Sequence, residues 1–466
     1  MRVHRLISII FALLSGMLAA QTPQPGVVQP AVAVLDDPSQ SYALYLPSQY
    51  TPEKRWPVLM AFDPGGNGAE AVKVFQQAAE KFGVIVAGSN NSRNFIDPTE
   101  AIRLFSNDVF SRYAIDQKRI YVTGLSGGAR VAISIAIHCK GCVAGIIACG
   151  AGISKGSSLP APEIADWFLV AGTEDFNFRE LSQSFEDLKA HHAAAALTYF
   201  DGPHSWMPPQ VAEEALAWMQ LRAMSRGTLP QDKDFIASEY KRRLHDADLA
   251  REQRQFLDAE REYAQLVQDF HGLHETPEAE KLSQELTKSS ELRKARKERN
   301  AALDLEDSIA NRLNGTVQSF SEKQGPSGLL FEQLESQASE ARRTEESSHD
   351  AERRHAVARA VGGAFIFAIE SGQKDMLKKD YGSAKDFFTA CTILKPESPW
   401  PHLLLARVHA AMNEKKGAIE ELRRAAATGL SRSASLNDKA FDNLRSDASF
   451  QEIQKRVAAE ESRKQN

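Results

Sequence analysis

Cysteine is scarce in this chain, with four residues in 466. So few cannot build the dense disulfide framework that holds small secreted domains together. Charge of one sign is also missing: 56 Lys and Arg stand against 61 Asp and Glu, a net charge of −5. The basic excess of a nucleic-acid binder is absent, and no nucleic-acid partner is expected. Long apolar runs are absent beyond the N-terminus, so no later segment reads as a membrane span. The run from Leu6 to Leu18 is itself short for a span. It follows a basic start (Arg2, His4, Arg5) and precedes Ala19-Ala20. This pattern predicts a secretory signal over residues 1–20, with export of bacterial type to the periplasm or medium and no span left after cleavage; a retained anchor is the alternative. No cysteine follows the run, which argues against a lipid anchor.

The cysteines present are Cys139, Cys142, Cys149 and Cys391. The first two form Cys-x-x-Cys where a predicted helix ends. A disulfide, a redox pair or metal ligands all fit. A zinc site needs four ligands and no second pair lies nearby, so a small structural disulfide is favoured and no metal is expected. Cys149 and Cys391 lie in apolar patterns and are expected as buried thiols.

With 466 residues the chain exceeds one ordinary core. Its two halves differ in pattern. Residues 31–226 alternate short apolar runs with amphipathic stretches, with predicted strands at 42–46, 57–62, 84–87, 119–123, 144–148, 167–171 and 196–200. Continuous apolar strands separated by helices predict an α/β class with a doubly wound, mostly parallel sheet, and functional groups at the carboxyl ends of its strands. Residues 227–233 read as a linker. Beyond them strand patterns vanish, and Leu244, Leu249, Phe256, Tyr263, Leu266 and Phe270 recur at helical spacing. Helical hairpins are predicted over 234–364, because glycines and prolines break the register of a sustained coiled coil. From 365 to 457 the chain resembles tetratricopeptide repeats: Ala384, Phe388 and Cys391, then Ala406, Ala418, Leu422 and Ala425, fit positions where paired helices touch, and 435–457 resembles a closing segment. An ordinary helical bundle is the alternative. Such repeats often present concave protein-binding surfaces, so a protein partner is a candidate.

The most informative segment is Gly124-Leu125-Ser126-Gly127-Gly128. It joins a predicted strand to a predicted helix, the setting in which Gly-x-Ser-x-Gly lifts a serine hydroxyl clear of a sheet. A serine needs a base and a group that orients the base. After the strand at 167–171 comes Gly172-Thr173-Glu174-Asp175; after that at 196–200 comes Asp201-Gly202-Pro203-His204-Ser205-Trp206. Ser126, Asp175 and His204 are therefore the candidate nucleophile, acid and base. Glu174 and Asp201 are weaker candidates for the acid, and His138, His191 and His192 lie on predicted helices. The attacked oxygen needs donors: the N–H of Gly127 is one candidate, and Gly65 or Gly66 in Asp63-Pro64-Gly65-Gly66-Asn67-Gly68 is the other. Substrate-contact candidates are Trp206, Arg93 in the stretch Asn90–Asn94, and Leu125. Short interstrand stretches predict an open cleft without an inserted lid.

On these motifs, residues of about 40–224 resemble an α/β-hydrolase of the serine esterase type, near the polyhydroxybutyrate-depolymerase and feruloyl-esterase-like group. The Asp-Pro-Gly-Gly segment departs from the His-Gly-Gly-Gly of many lipases. The resemblance implies hydrolysis of a small-molecule or polymer ester through an acyl-enzyme, with no metal or organic cofactor. A serine peptidase of the same fold, and a catalytically silent adaptor, are the competing readings.

Overall fold

The computed structural model describes residues 23–154, 156, 161, 164–322 and 326–465. The expected signal over residues 1–20 lies outside the described residues. Eight strands form one sheet: β1 (Gln29–Ala33), β2 (Ser41–Tyr45), β3 (Trp56–Phe62), β4 (Ile85–Ser89), β5 (Ile115–Leu125), β6 (Gly145–Cys149), β7 (Asp166–Gly172) and β8 (Ala195–Phe200). Their order is β1-β2-β4-β3-β5-β6-β7-β8. Strands β3 to β8 run parallel, while β2 pairs antiparallel with both β1 and β4. Every residue of β3, β6 and β7 is buried, as covering both faces of a parallel sheet requires.

Two sets of helices supply that cover: α1 (Gly68–Phe82) with α5 (Pro209–Ser225), and α2 (Thr99–Arg112), α3 (Gly127–His138) and α4 (Phe178–Ala190). Two apolar cores result, one per face. Phe62, Phe105, Ile133, Trp167 and Phe185 belong to the first; Phe75, Tyr121, Phe168, Trp218 and Met219 belong to the second. Cys139 and Cys142 are joined in a disulfide just past α3, and Cys149 and Cys391 are buried free thiols.

The second half is helical: α6 (Lys233–Glu252), α7 (Phe256–Asp269), α8 (Pro277–Lys288), α9 (Ser290–Ser321), α10 (Ser327–Ser347), α11 (Ala351–Lys378), α12 (Tyr381–Leu394), α13 (Pro399–Ala411), α14 (Lys415–Ala427) and α15 (Ala448–Gln465). Residues 364 and 365, where the sequence reading divides this half, fall inside the unbroken helix α11. Gly362 and Gly363 do not interrupt it, and their entropic cost in a helix, about 1 kcal/mol each, is borne by this 28-residue element.

The two halves share a core: Leu221 and Met224 of α5 pack with Tyr240, Tyr263, Leu266, Phe270 and Leu292. They also share the sheet edge. Gln265 Oε1 accepts the N–H of Leu197 at 2.7 Å, which occupies a ladder group that edge strand β8 would otherwise leave open. Among the described residues no helix is long and apolar enough to cross a membrane.

Candidate active site

Strand β5 ends at Leu125, and α3 begins at Gly127. Ser126 between them has φ 55° and ψ −120°, a backbone conformation rare for a side chain larger than glycine. Two glycines make the turn possible. A Cβ on Gly124 would lie 2.2 Å from backbone atoms of Gly128, and one on Gly128 would lie 1.9 Å from the carbonyl oxygen of Phe62. Helix and strands approach so closely that neither position has room for a side chain. The Ser126 N–H donates to the carbonyl of Cys149 at 2.8 Å, which pins the turn to the end of β6.

Asp175 lies just past β7 and is fully buried. Its Oδ1 accepts the N–H of Asn177 at 2.8 Å and bonds His204 Nδ1 at 2.8 Å. That carboxylate fixes the imidazole's orientation and leaves Nε2 as its outward nitrogen. The imidazole also rests on Gly150, where a Cβ would meet Cε1 at 3.0 Å. Gly150 follows the residue that binds Ser126 N–H, so the Ser126 backbone and the His204 imidazole both meet the Cys149–Gly150 pair. Ser126 Oγ itself makes no hydrogen bond among the described residues. Its rotor is unengaged.

The weaker acid candidates lie elsewhere. Asp201 accepts from Thr173 Oγ1 at 3.3 Å, and Glu174 is tied by its backbone N–H to Gly202. His138 bonds back to Ser134, and His191 to the carbonyl of Asp187.

The turn after β3 differs from the expectation for Gly65 and Gly66. Asp63 folds its carboxylate back, so that Oδ1 accepts the N–H groups of Gly65 at 2.8 Å and Asn67 at 3.1 Å. The Gly66 N–H donates to the carbonyl of Asp63 at 3.0 Å, and that of Gly68 to Asn90 Oδ1 at 3.1 Å. Pro64 has no N–H, so this turn satisfies its own donors. Gly127 does offer one: as the first helical residue it has no partner within α3.

Beside Gly127 stands Asn94. A Cβ on Gly127 would lie 2.0 Å from Asn94 Oδ1 and 3.0 Å from Nδ2. The Asn94 N–H donates to the carbonyl of Pro64, and its side-chain amide has no hydrogen-bond partner among the described residues. The two amide heavy atoms are interchangeable by a flip. From sequence, Asn94 is only the last residue of the stretch that holds Arg93. The single available signal was an amide residue after a strand end.

Of the substrate-contact candidates, Trp206 is a brace: its Nε1 donates to Asp63 Oδ2 at 2.9 Å and its ring meets Phe75 edge-on at 6.4 Å. Leu125 is buried in the core beneath the turn. Arg93 is exposed beside Gly66. Helix α11 borders the cleft expected from short interstrand stretches, because it lies across the β7–α4 loop. Arg359 Nη1 donates to the carbonyl of Thr173 at 2.8 Å, and Gly363 abuts Phe176. Phe176 in turn packs on the His204 ring at 4.3 Å. No cluster of three His, Cys, Asp or Glu side chains among the described residues is arranged to hold a metal ion.

This eight-stranded sheet, with one serine turn after β5 and an aspartate and a histidine after β7 and β8, has the α/β-hydrolase fold. No family model matches the chain, and no curated protein matches it. Among solved structures it is similar to a thermostable esterase at 18% identity and TM-score 0.32, over 42% of this chain and 61% of that one. It is similar to a ferulic acid esterase at 14% identity and TM-score 0.34, over 42% and 96% of the two chains. It is also similar to an S-formylglutathione hydrolase from Staphylococcus aureus at 15% identity and TM-score 0.32, over 39% and 90%. The chain thus spans about three-fifths of the thermostable esterase.

Proposed function

We propose that this protein is an exported serine hydrolase that cleaves carboxylic esters, with Ser126 as nucleophile, His204 as base and Asp175 as the residue orienting the base. The observation that carries the reading is the 2.8 Å bond from fully buried Asp175 to His204 Nδ1, beside a serine in a strained strand-to-helix turn. In the first half-reaction His204 Nε2 takes the proton of Ser126 Oγ as the oxygen attacks the ester carbon. The tetrahedral intermediate collapses, and the same proton passes to the leaving alcohol. A water then gives its proton to His204, attacks the acyl-serine, and frees the acid while the proton returns to Ser126.

The developing oxyanion is met by the N–H of Gly127 and, in this reading, by the Asn94 amide rather than by Gly65 or Gly66. The unengaged amide against Gly127 supports that assignment, as do the internally satisfied donors of the Asp63 turn. The N-terminal pattern of residues 1–20 supports export. The helical half is read as serving two ends: α9 to α11 cover the catalytic edge, and the repeat-like helices from 365 to 457 offer a surface to a protein partner.

The test is labelling of purified full-length protein with a fluorophosphonate probe, combined with hydrolysis of a short-chain p-nitrophenyl ester and the matching anilide. Labelling at Ser126 that is lost in His204→Ala, with ester turnover and little amide turnover, is the expected result. Retained turnover in Ser126→Ala would discard the assignment.

A further inference from the structure

Helix α11 carries one face whose second half, at Phe367 and Glu370, packing does not account for. Its path over the catalytic edge is fixed at successive points. Arg359 holds the carbonyl of Thr173 at 2.8 Å. One turn on, a Cβ at Gly363 would lie 3.6 Å from Phe176 Cβ, and the Phe176 ring packs 4.3 Å from that of His204. Steps of four, four and three keep 359, 363, 367 and 370 on one face of the helix. That face therefore continues, beyond its contacts with the Asp175 loop, to Phe367 and Glu370.

At its far end stands Glu370, close enough to both His204 and Arg130 to feel their charge. Arg130 is already neutralised by the two oxygens of Glu180, each at 3.0 Å. Glu370 itself makes no hydrogen bond or ion pair among the described residues, although Lys374 lies one turn further along. Its side chain is exposed, yet partial burial of the carboxyl pushes it above the usual range. Between Gly363 and Glu370 lies Phe367, an aromatic left 38% exposed on a helix whose Phe365 and Ile369 are buried.

We propose that Phe176, Phe367 and Glu370 form a recognition pocket for a cationic, ammonium-bearing part of the ester substrate. Aromatic faces attract alkylammonium groups through their quadrupoles, and a carboxylate without a partner supplies the opposite charge. A neutral substrate would leave that carboxylate partly desolvated and unpaired, and an anionic one would be repelled. The pocket's chemistry follows from charge and ring geometry alone; its role in selecting a substrate rests on the serine-hydrolase reading.

The experiment compares acetylcholine with 3,3-dimethylbutyl acetate, its uncharged carbon isostere, using the full-length protein. The ratio of kcat/KM values should favour the cation at least about tenfold, and should fall at least about fivefold in Glu370→Gln. Phe367→Leu, which keeps the helix and its charge, should lower the ratio in the same direction. In parallel, calorimetry on full-length Ser126→Ala protein measures choline against 3,3-dimethylbutanol, with no turnover required. Tighter choline binding that is weakened by Glu370→Gln supports the pocket even where neither ester is cleaved, an outcome that would sink the hydrolase reading alone. Turnover with equal rates for the two esters, or equal binding of the two alcohols, would overturn the pocket and leave the hydrolase reading standing.

Discussion

Arg359 and Thr173 are 186 residues apart in the chain, yet the guanidinium of one donates to the carbonyl of the other at 2.8 Å. The same side chain bonds Glu306 on α9 from Nε at 2.7 Å and lies over the Phe178 ring at 4.6 Å. It is almost entirely buried. One arginine thus ties α9, α11 and the loop bearing Asp175 into a single unit. Burial raises the Glu306 carboxyl, and Arg359 works against that rise.

Arg359→Met should therefore leave Glu306 buried without a counter-charge. The expected loss is about 3–5 kcal/mol, read from urea unfolding. Adding Glu306→Met should regain most of it. Ester turnover should fall in both variants, because the Thr173 carbonyl loses its anchor in each.

Asp175→Asn keeps the shape of the side chain but no longer enforces the right imidazole tautomer. The kcat for an ester should drop by about 10^3–10^4 with little change in KM. Circular dichroism should report an intact fold.

Asn94→Ala should lower kcat by about 10^2–10^3 if its amide meets the oxyanion. Gly127→Ala should be at least as damaging, since the new methyl would strike the Asn94 amide. Gly65→Ala, by contrast, meets only the Asp63 carboxylate at 3.2 Å and should cost far less. Equal losses at positions 65 and 94 would return the donor to the Asp63 turn.

Glu214 lines a cavity of about 850 Å³ between β8 and the helical half, where burial raises its carboxyl to about 7 and Arg242 only partly offsets the rise. The folded chain therefore holds this proton more tightly than the unfolded chain does. The resulting stabilisation is complete below the unfolded value near 4.5 and is lost as pH rises through about 7. Glu214→Gln should be more stable than the parent at pH 8.5, by about 2 kcal/mol, and the two should converge at pH 4. Urea midpoints at the two pH values check this.

The strands of the sheet's centre were legible because burial on both faces writes a continuous apolar run, as in Trp56–Phe62 and Asp166–Gly172. Strand β1 was not: Gln29–Ala33 is a five-residue edge strand, mostly exposed and interrupted by Pro30. The order of Ser126, Asp175 and His204 was readable because each follows a strand end. The engagement of Gly65 and Gly66 was not, because glycine spacing cannot reveal that Asp63 folds its carboxylate back onto their turn. The bracing bond of Trp206, a substrate-contact candidate, was hidden for a similar reason, its partner lying 143 residues away. The docking of α11 left no local pattern at all, since contacts across such separations write no periodicity into either segment.

The anchor at Thr173 has a consequence for biosynthesis. A nascent chain that has completed all eight strands still lacks the arginine that clamps its acid-bearing loop, so the edge of the sheet forms before the helix that will roof it. A chain stopped after α5 would carry Ser126, Asp175 and His204 on an unbraced rim, and on the proposed reading it would gain full activity only late in translation.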